Sequence, residues 1–126
     1  MTPRKIIIDT DPGQDDAVAI LLALASPKDL DVLGITAVAG NVPLALTEKN
    51  ARKICELAGK PDTLVFAGCD APLKRPLITA EHVHGKTGLD GPILPEPTMP
   101  LQDQHAVDFI IETLRQNDPK TVTLCP

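Results

Sequence analysis

KIIIDTDPGQDD, residues 5–16, decides the fold of this chain. Residues 5–9 are β-branched and apolar and run into acids and a Pro-Gly pair, which predicts a short buried strand followed by a tight turn. Residues 15–25, DDAVAILLALA, begin with two acids and are then apolar on nearly every side. This pattern predicts a buried helix whose first turn carries negative charge, where the helix dipole favours it. The chain therefore opens with a strand, a turn and a helix.

The same alternation continues along the rest of the sequence. Three more strands are predicted at residues 31–38, 63–66 and 120–125, and a second helix at about 44–58. A third helix is predicted from the i, i+3, i+4, i+7 spacing of Val107, Ile110, Ile111 and Leu114. Alternating strands and helices are typical of an α/β domain with a parallel sheet.

One long segment, residues 67–103, is rich in proline and has no clear period. A loop of this length inside a compact domain is more often a binding segment or lid than a passive connection. Its middle, HVHGKTGLDG at 82–91, concentrates histidine and glycine. On residue type alone, the pattern favours surface histidines over functional ones at His82 and His84, and His105 is expected to be exposed at the start of a helix.

Composition excludes several classes of protein. The chain has 126 residues, enough for one domain, and a formal net charge of −5 with no long Lys/Arg run. It has two Phe and no Tyr or Trp, so a nucleic-acid partner is not expected. No apolar stretch approaches the length of a membrane span or signal peptide. Three cysteines without a CxxC pair indicate free thiols, and we expect a cytoplasmic protein.

Four aspartates stand within eight residues: Asp9, Asp11, Asp15 and Asp16. They flank the predicted turn at the carboxyl end of the first strand, where open α/β sheets bind ligands, and we expect all four to converge there. Such close negative charges repel one another, and a bound divalent cation would relieve that repulsion. Oxygen ligands without nearby His or Cys favour Ca²⁺ or Mg²⁺. The alternative is that they are helix-capping and solvated loop charges.

The chain resembles the inosine/uridine-preferring nucleoside hydrolases. Five segments carry the resemblance, in the family's order: DTDPGQDD (9–16), GITAVAGN (34–41), AGCDAPL (67–73), HVHGKTGLDG (82–91) and KTVTLCP (120–126). The resemblance implies a Rossmann-like, mostly parallel sheet flanked by helices. It covers essentially the whole chain but less than half of the family's full-length domain. We therefore expect residues 1–126 to be the N-terminal part of such a domain, cut short.

The resemblance also implies an activity and a site. The activity is hydrolysis of the N-glycosidic bond of a ribonucleoside by a Ca²⁺-bound water, and intact members are expected to be homodimers or homotetramers. Asp11 and Asp16 match metal ligands, and Asp11 also matches the general base. Asp15 and Asn41 match residues that contact and orient the ribose, and His84 matches a catalytic-site histidine near the base. Asp9 matches a residue that supports the loop.

Further family positions lie beyond residue 126, including a backbone carbonyl, an Asp, a His, an Asn and a Glu. Two carboxylates cannot complete a shell of six to eight oxygens around Ca²⁺ without extra waters, so we expect the isolated chain to be inactive. Its open sheet edge would also invite self-association.

The sequence alone leaves two alternative interpretations of the function open. One is a haloacid-dehalogenase-like phosphatase, in which Asp9 would be the nucleophile of a DxD motif after an apolar strand. The Pro-Gly pair after Asp11 departs from that pattern. The other is a truncated product without catalytic activity.

Overall fold

A computed structural model describes all residues from 1 to 126. Strands and helices alternate in the order β1 (Arg4–Thr10), α1 (Gln14–Leu24), β2 (Leu30–Ala37), α2 (Leu44–Leu57), β3 (Val65–Ala67), α3 (Glu81–His84), α4 (Ala106–Gln116) and β4 (Val122–Cys125). The four strands form one sheet in the order β3-β2-β1-β4, and all three pairings are parallel. The predicted α/β fold is confirmed.

β1 lies inside the sheet, and its isoleucines alternate between the two faces as strand geometry requires. Ile6 and Ile8 join the larger core cluster, together with buried residues of α1 and α2 such as Ile20 and Ile54. Ile7 points the other way and joins a smaller cluster. Because both faces of the sheet are covered, β1 is a continuous apolar run.

The smaller cluster is built around a pair of aromatic rings. Phe66 of β3 and Phe109 of α4 stack with their centroids 3.8 Å apart. Gly34 of β2 makes room for them, because a Cβ at this position would lie 2.6 Å from the Phe109 ring. β2 also carries an irregularity here, since the register with β1 shifts between Ile6 and Ile7. This contact fixes α4 against the sheet.

The structure corrects three details of the expected elements. α1 is not buried on all sides, because Val18 and Leu22 are 66% and 67% exposed. β3 begins at Val65 rather than at residue 63, because Thr63 is held in a turn by its bonds to the carbonyl of Lys60. α4 buries Ala106, Phe109 and Thr113 against the sheet, so the apolar residues at 107, 111 and 114 are partly exposed.

The long segment between β3 and α4 is ordered against α2. It contains the short helix α3, and Gln102 makes an isolated bridge to Phe66. The Glu56 carboxylate accepts hydrogen bonds from the backbone N–H groups of Thr98 and Met99, both at 2.6 Å. These bonds hold the pKa of Glu56 below its usual value, with the Met99 N–H as the main cause.

All three cysteines are free thiols, as expected. No helix in the structure combines the length and apolar character that crossing a bilayer would require.

Candidate functional site

The predicted site lies at the carboxyl ends of β1 and β2. Asp11 follows β1, and Asn41 belongs to the loop that follows β2. The backbone N–H of Asn41 donates to Asp11 Oδ2 at 2.8 Å, and Asn41 Nδ2 donates to the backbone oxygen of Asp11 at 2.9 Å. Gly40 permits this approach, because a Cβ there would overlap the Asp11 carboxylate. Asp11 and Asn41 are therefore held together by two bonds.

Asp16, in the first turn of α1, stabilises the turn between β1 and α1 through both carboxylate oxygens. Its Oδ1 accepts a hydrogen bond from Thr10 Oγ1 at 2.8 Å, and its Oδ2 accepts from the backbone N–H of Gly13 at 3.2 Å. The second contact is the carboxylate half of a capping box. Asp16 thus fixes the path of the chain from β1 into α1.

The other two aspartates differ sharply in environment. Asp9 lies within β1, and its Oδ1 accepts a hydrogen bond from Thr36 Oγ1 of β2 at 2.5 Å. Asp15 is exposed and accepts no hydrogen bond from the chain. The expected convergence of all four carboxylates is wrong, because no group of three or more His, Cys, Asp or Glu side chains lies close enough to hold a metal ion. Threonines of β1 and β2 engage two of the four instead.

The donor atoms that remain suit part of a shell around a hard cation. Asp11 uses only Oδ2 within the chain, so its Oδ1 is available, and each oxygen of Asp16 accepts one hydrogen bond and keeps a further lone pair. Carboxylate oxygens are the donors that Ca²⁺ and Mg²⁺ prefer. The residues fit a divalent cation as a partial set of ligands, with the other ligands coming from elsewhere.

His84 lies against the segment that carries the four aspartates, residues 9–16, which we call the acidic loop. Its Nδ1 lies 2.5 Å from Gln14 Oε1. The ring sits directly against Gly13, where a Cβ would be 2.5 Å from the same nitrogen. At the other end of α3, the N–H of Ala80 donates to the carbonyl of Asn41 at 2.8 Å. The helix that carries His84 is thus tied to the acidic loop at one end and to Asn41 at the other.

The other two histidines do not reach this site through any hydrogen bond. His82 is exposed on α3. His105 is exposed, as expected, and caps α4: its Nδ1 accepts from the backbone N–H of Val107 at 3.1 Å.

Asn50 of α2 was not predicted as a site residue. It is 2% exposed, and its Nδ2 donates to the carbonyl oxygens of Pro12 at 3.2 Å and Thr87 at 2.7 Å. One amide therefore links the acidic loop to the turn that follows His84. A sequence signal existed, since Asn50 is a polar residue on the helix face defined by Ala51 and Ile54.

The turn after His84 is closed by Asp90. Its carboxylate accepts hydrogen bonds from Thr87 Oγ1 and from the backbone N–H groups of Lys86 and Thr87. These bonds hold the pKa of Asp90 below its usual value, with the Thr87 hydroxyl as the main cause. Gly85 and Gly88 adopt φ values of 81° and 85°, which side chains other than glycine rarely accept. The turn is thus built to hold one shape.

Comparison with known proteins identifies relatives of this arrangement. The family model described as inosine-uridine preferring nucleoside hydrolase matches residues 6–126. An uncharacterised protein of Schizosaccharomyces pombe is 57% identical over 121 residues, covering 96% of this chain and 39% of that protein. The inosine-uridine preferring nucleoside hydrolase of Crithidia fasciculata is 45% identical over 125 residues, covering 98% of this chain and 39% of that enzyme.

Solved structures of nucleoside hydrolases share the fold of this chain. The purine-preferring ribonucleoside hydrolase from Gardnerella vaginalis superimposes with a TM-score of 0.88 at 31% identity, covering 96% of this chain and 39% of that one. The chain therefore spans about two fifths of the length of the relatives that it matches. These similarities favour the hydrolase family over the phosphatase alternative.

Proposed function

Because the chain belongs to the inosine-uridine preferring nucleoside hydrolase family, we propose that it supplies the ribose- and metal-binding part of an N-ribosyl hydrolase. The reaction adds water across the bond between C1′ of ribose and the base nitrogen. That bond breaks, water oxygen bonds to C1′, and the base leaves as the free base with a proton. The substrate is a ribonucleoside. The names of the relatives differ in base preference, so we leave the base open.

The observation that carries the proposal is the double hydrogen bond between Asp11 and Asn41 at the carboxyl edge of the sheet. It holds one carboxylate oxygen in place and leaves Asp11 Oδ1 free. A fixed carboxylate with one free oxygen can both bind a cation and accept a proton from water. Asp16 is proposed as a second metal ligand, although its two oxygens also accept bonds from Thr10 and Gly13.

Nucleoside hydrolases are metal-dependent. We propose Ca²⁺, which when bound would lower the pKa of a coordinated water and hold hydroxyl oxygens of the sugar. Within the chain, Asp11 would accept the proton of the attacking water. Asp15, exposed in the first turn of α1, would accept a hydrogen bond from a ribose hydroxyl, and the Asn41 amide would orient the sugar. Positive charge that develops at C1′ is stabilised by nearby carboxylates.

The chain alone is proposed to bind metal weakly and to have little activity. No cluster of three metal-binding side chains is present, and Ca²⁺ takes six to eight oxygen ligands. The missing ligands would come from the portion of the relatives that the chain does not span, since it covers 39% of their length.

The test uses a chimera in which residues 1–126 replace the matching segment of the Crithidia fasciculata enzyme, which is 45% identical to them. We expect release of free base from inosine or uridine, dependent on Ca²⁺ and lost in Asp11→Asn. Asp31→Asn is the matched control, because Asp31 is an exposed acid near the start of β2 and thus at the opposite edge of the sheet. Equal activity in both variants would refute the role of Asp11, and phosphate release from an aryl phosphate would support the phosphatase.

A further inference from the structure

Gln14 lies between the two pairs of aspartates and is the first residue of α1. Both ends of its side-chain amide contact residues at the start and end of the turn that follows His84. Nε2 lies 3.3 Å from the carbonyl oxygen of His84 and 3.5 Å from that of Asp90. Oε1 lies 2.5 Å from Nδ1 of the His84 ring.

The two carbonyl oxygens fix the orientation of this amide. Carbonyl oxygens only accept hydrogen bonds, so the end of Gln14 that faces His84 O and Asp90 O must be the NH₂ group. The end that faces the His84 ring is then the carbonyl oxygen, which can only accept. His84 Nδ1 must therefore carry a hydrogen, and in the neutral ring Nε2 carries none.

We propose that Gln14 is a positioning residue that holds His84 in the Nδ1–H tautomer. This inference deepens the proposed function and rests on it for its catalytic meaning. Nε2 has no partner in the chain, so His84 offers the substrate a hydrogen-bond acceptor. The group that it takes is an N–H or O–H donor of the nucleoside. In this tautomer the neutral ring cannot donate a hydrogen from Nε2.

The surrounding contacts leave the ring little freedom to escape this arrangement. A Cβ at Gly13 would lie 2.5 Å from Nδ1 and 2.8 Å from Cε1, so the ring rests against bare backbone. Asn50 holds the carbonyls on either side of this contact, at Pro12 and Thr87. The acceptor from Gln14 and the ring from His84 are thus held at fixed relative positions, although the two residues are 70 positions apart.

The test is ¹⁵N NMR of the 126-residue chain with labelled histidines, at about pH 8.5, where an ordinary imidazole with a pKa of about 6.5 is neutral. We expect a pyrrole-type shift for Nδ1 of His84 and a pyridine-type shift for its Nε2. His105 is an internal control for the other tautomer, because its Nδ1 accepts a hydrogen bond from the N–H of Val107. Nδ1 of His105 should be pyridine-type in the same spectrum.

Two variants separate tautomer control from general structure. Gln14→Glu keeps an acceptor and should keep the pyrrole-type Nδ1 of His84. Gln14→Met has a similar length and no strong acceptor, and should shift His84 toward the Nε2–H tautomer while His105 is unchanged. Gln14 is exposed, so neither change disturbs the core.

A pyridine-type Nδ1 of His84 in the unmodified chain would overturn the proposal, and so would an unchanged His84 spectrum in Gln14→Met. The unmodified spectrum decides even if a variant does not fold. Because the readout needs no turnover, its failure is distinguishable from an inactive chimera, which would instead contradict the proposed hydrolase function.

Discussion

Removal of the Asn50 amide is the most direct test of how the site is held together. Asn50→Ala takes the Nδ2 donor from the carbonyls of Pro12 and Thr87 at once. Both bonds lie in or beside the buried interior, since Asn50 is 2% exposed. Each such bond contributes about 0.5–1.5 kcal/mol net, so the variant should lose about 1–3 kcal/mol of unfolding free energy.

Asn50→Asp should lose more than Asn50→Ala at neutral pH. The carboxylate has nearly the same shape as the amide, but it places an acceptor against two carbonyl oxygens and buries a charge without a partner. On acidification the protonated carboxyl can donate again, so the deficit of Asn50→Asp should shrink as the pH falls. Asn50→Ala has no titrating group and should show no such recovery.

The assay is urea unfolding followed by far-UV circular dichroism, because the chain has no Trp or Tyr to report by fluorescence. Ser26→Ala is the matched control. It removes one exposed hydrogen bond, from Ser26 Oγ to the carbonyl of Leu22, and should cost at most about 0.5 kcal/mol. If Asn50→Ala cost no more than Ser26→Ala, the reasoning that Asn50 joins the two loops would be refuted.

Three further perturbations test other parts of the structure. Burial raises the pKa of the Cys55 thiol from 9.0 to about 11, so stability present below about pH 9 should decline up to about pH 11. Cys55→Ala should remove up to about 3 kcal/mol of that decline, as measured by urea unfolding across this pH range, and an equal decline in both proteins would contradict it. Glu56 has its pKa lowered by the N–H of Met99, so its contribution is present above its ordinary pKa and is lost on acidification. Amide hydrogen exchange at Met99 should accelerate in Glu56→Ala, and unchanged exchange would show that this bond does not hold the segment. Gly40→Ala should push away the Asp11 carboxylate and weaken Ca²⁺ binding by the chimera at least about tenfold, for a loss of about 1.4 kcal/mol; calorimetry with unchanged affinity would argue against Asp11 as a ligand.

Much of the fold was predictable because short-range sequence patterns determine its strands and helices. The apolar run before the acids predicted β1, and the alternation of strands and helices predicted a parallel sheet. Hydrophobicity did not reveal which face of α1 is covered, so Val18 and Leu22 were expected inside and lie outside. An apolar side chain is permitted on the surface, whereas a buried polar one needs a partner.

The candidate site was less predictable because its contacts join distant parts of the chain. Asp11 and Asn41 were both named, yet nothing local indicated that they bond to each other across 30 positions. The sequence also did not indicate which residues contact Asp9 and Asp16, whose carboxylates accept hydrogen bonds from the hydroxyls of Thr36 and Thr10. Both threonines lie within strands, but only Thr36 falls in a predicted strand, and neither was predicted as a hydrogen-bond donor.

The central place of β1 in the sheet has a consequence for the order of folding. β1 pairs with β2 about 26 residues further along, whereas Lys5 of β1 pairs with Val122 of β4 across nearly the whole chain. Closing a loop costs more entropy as it lengthens, and distant pairings slow folding. A chain emerging from the ribosome can therefore form the β1–α1–β2 unit, with its acidic turn, well before β4 arrives at the other side of the same strand.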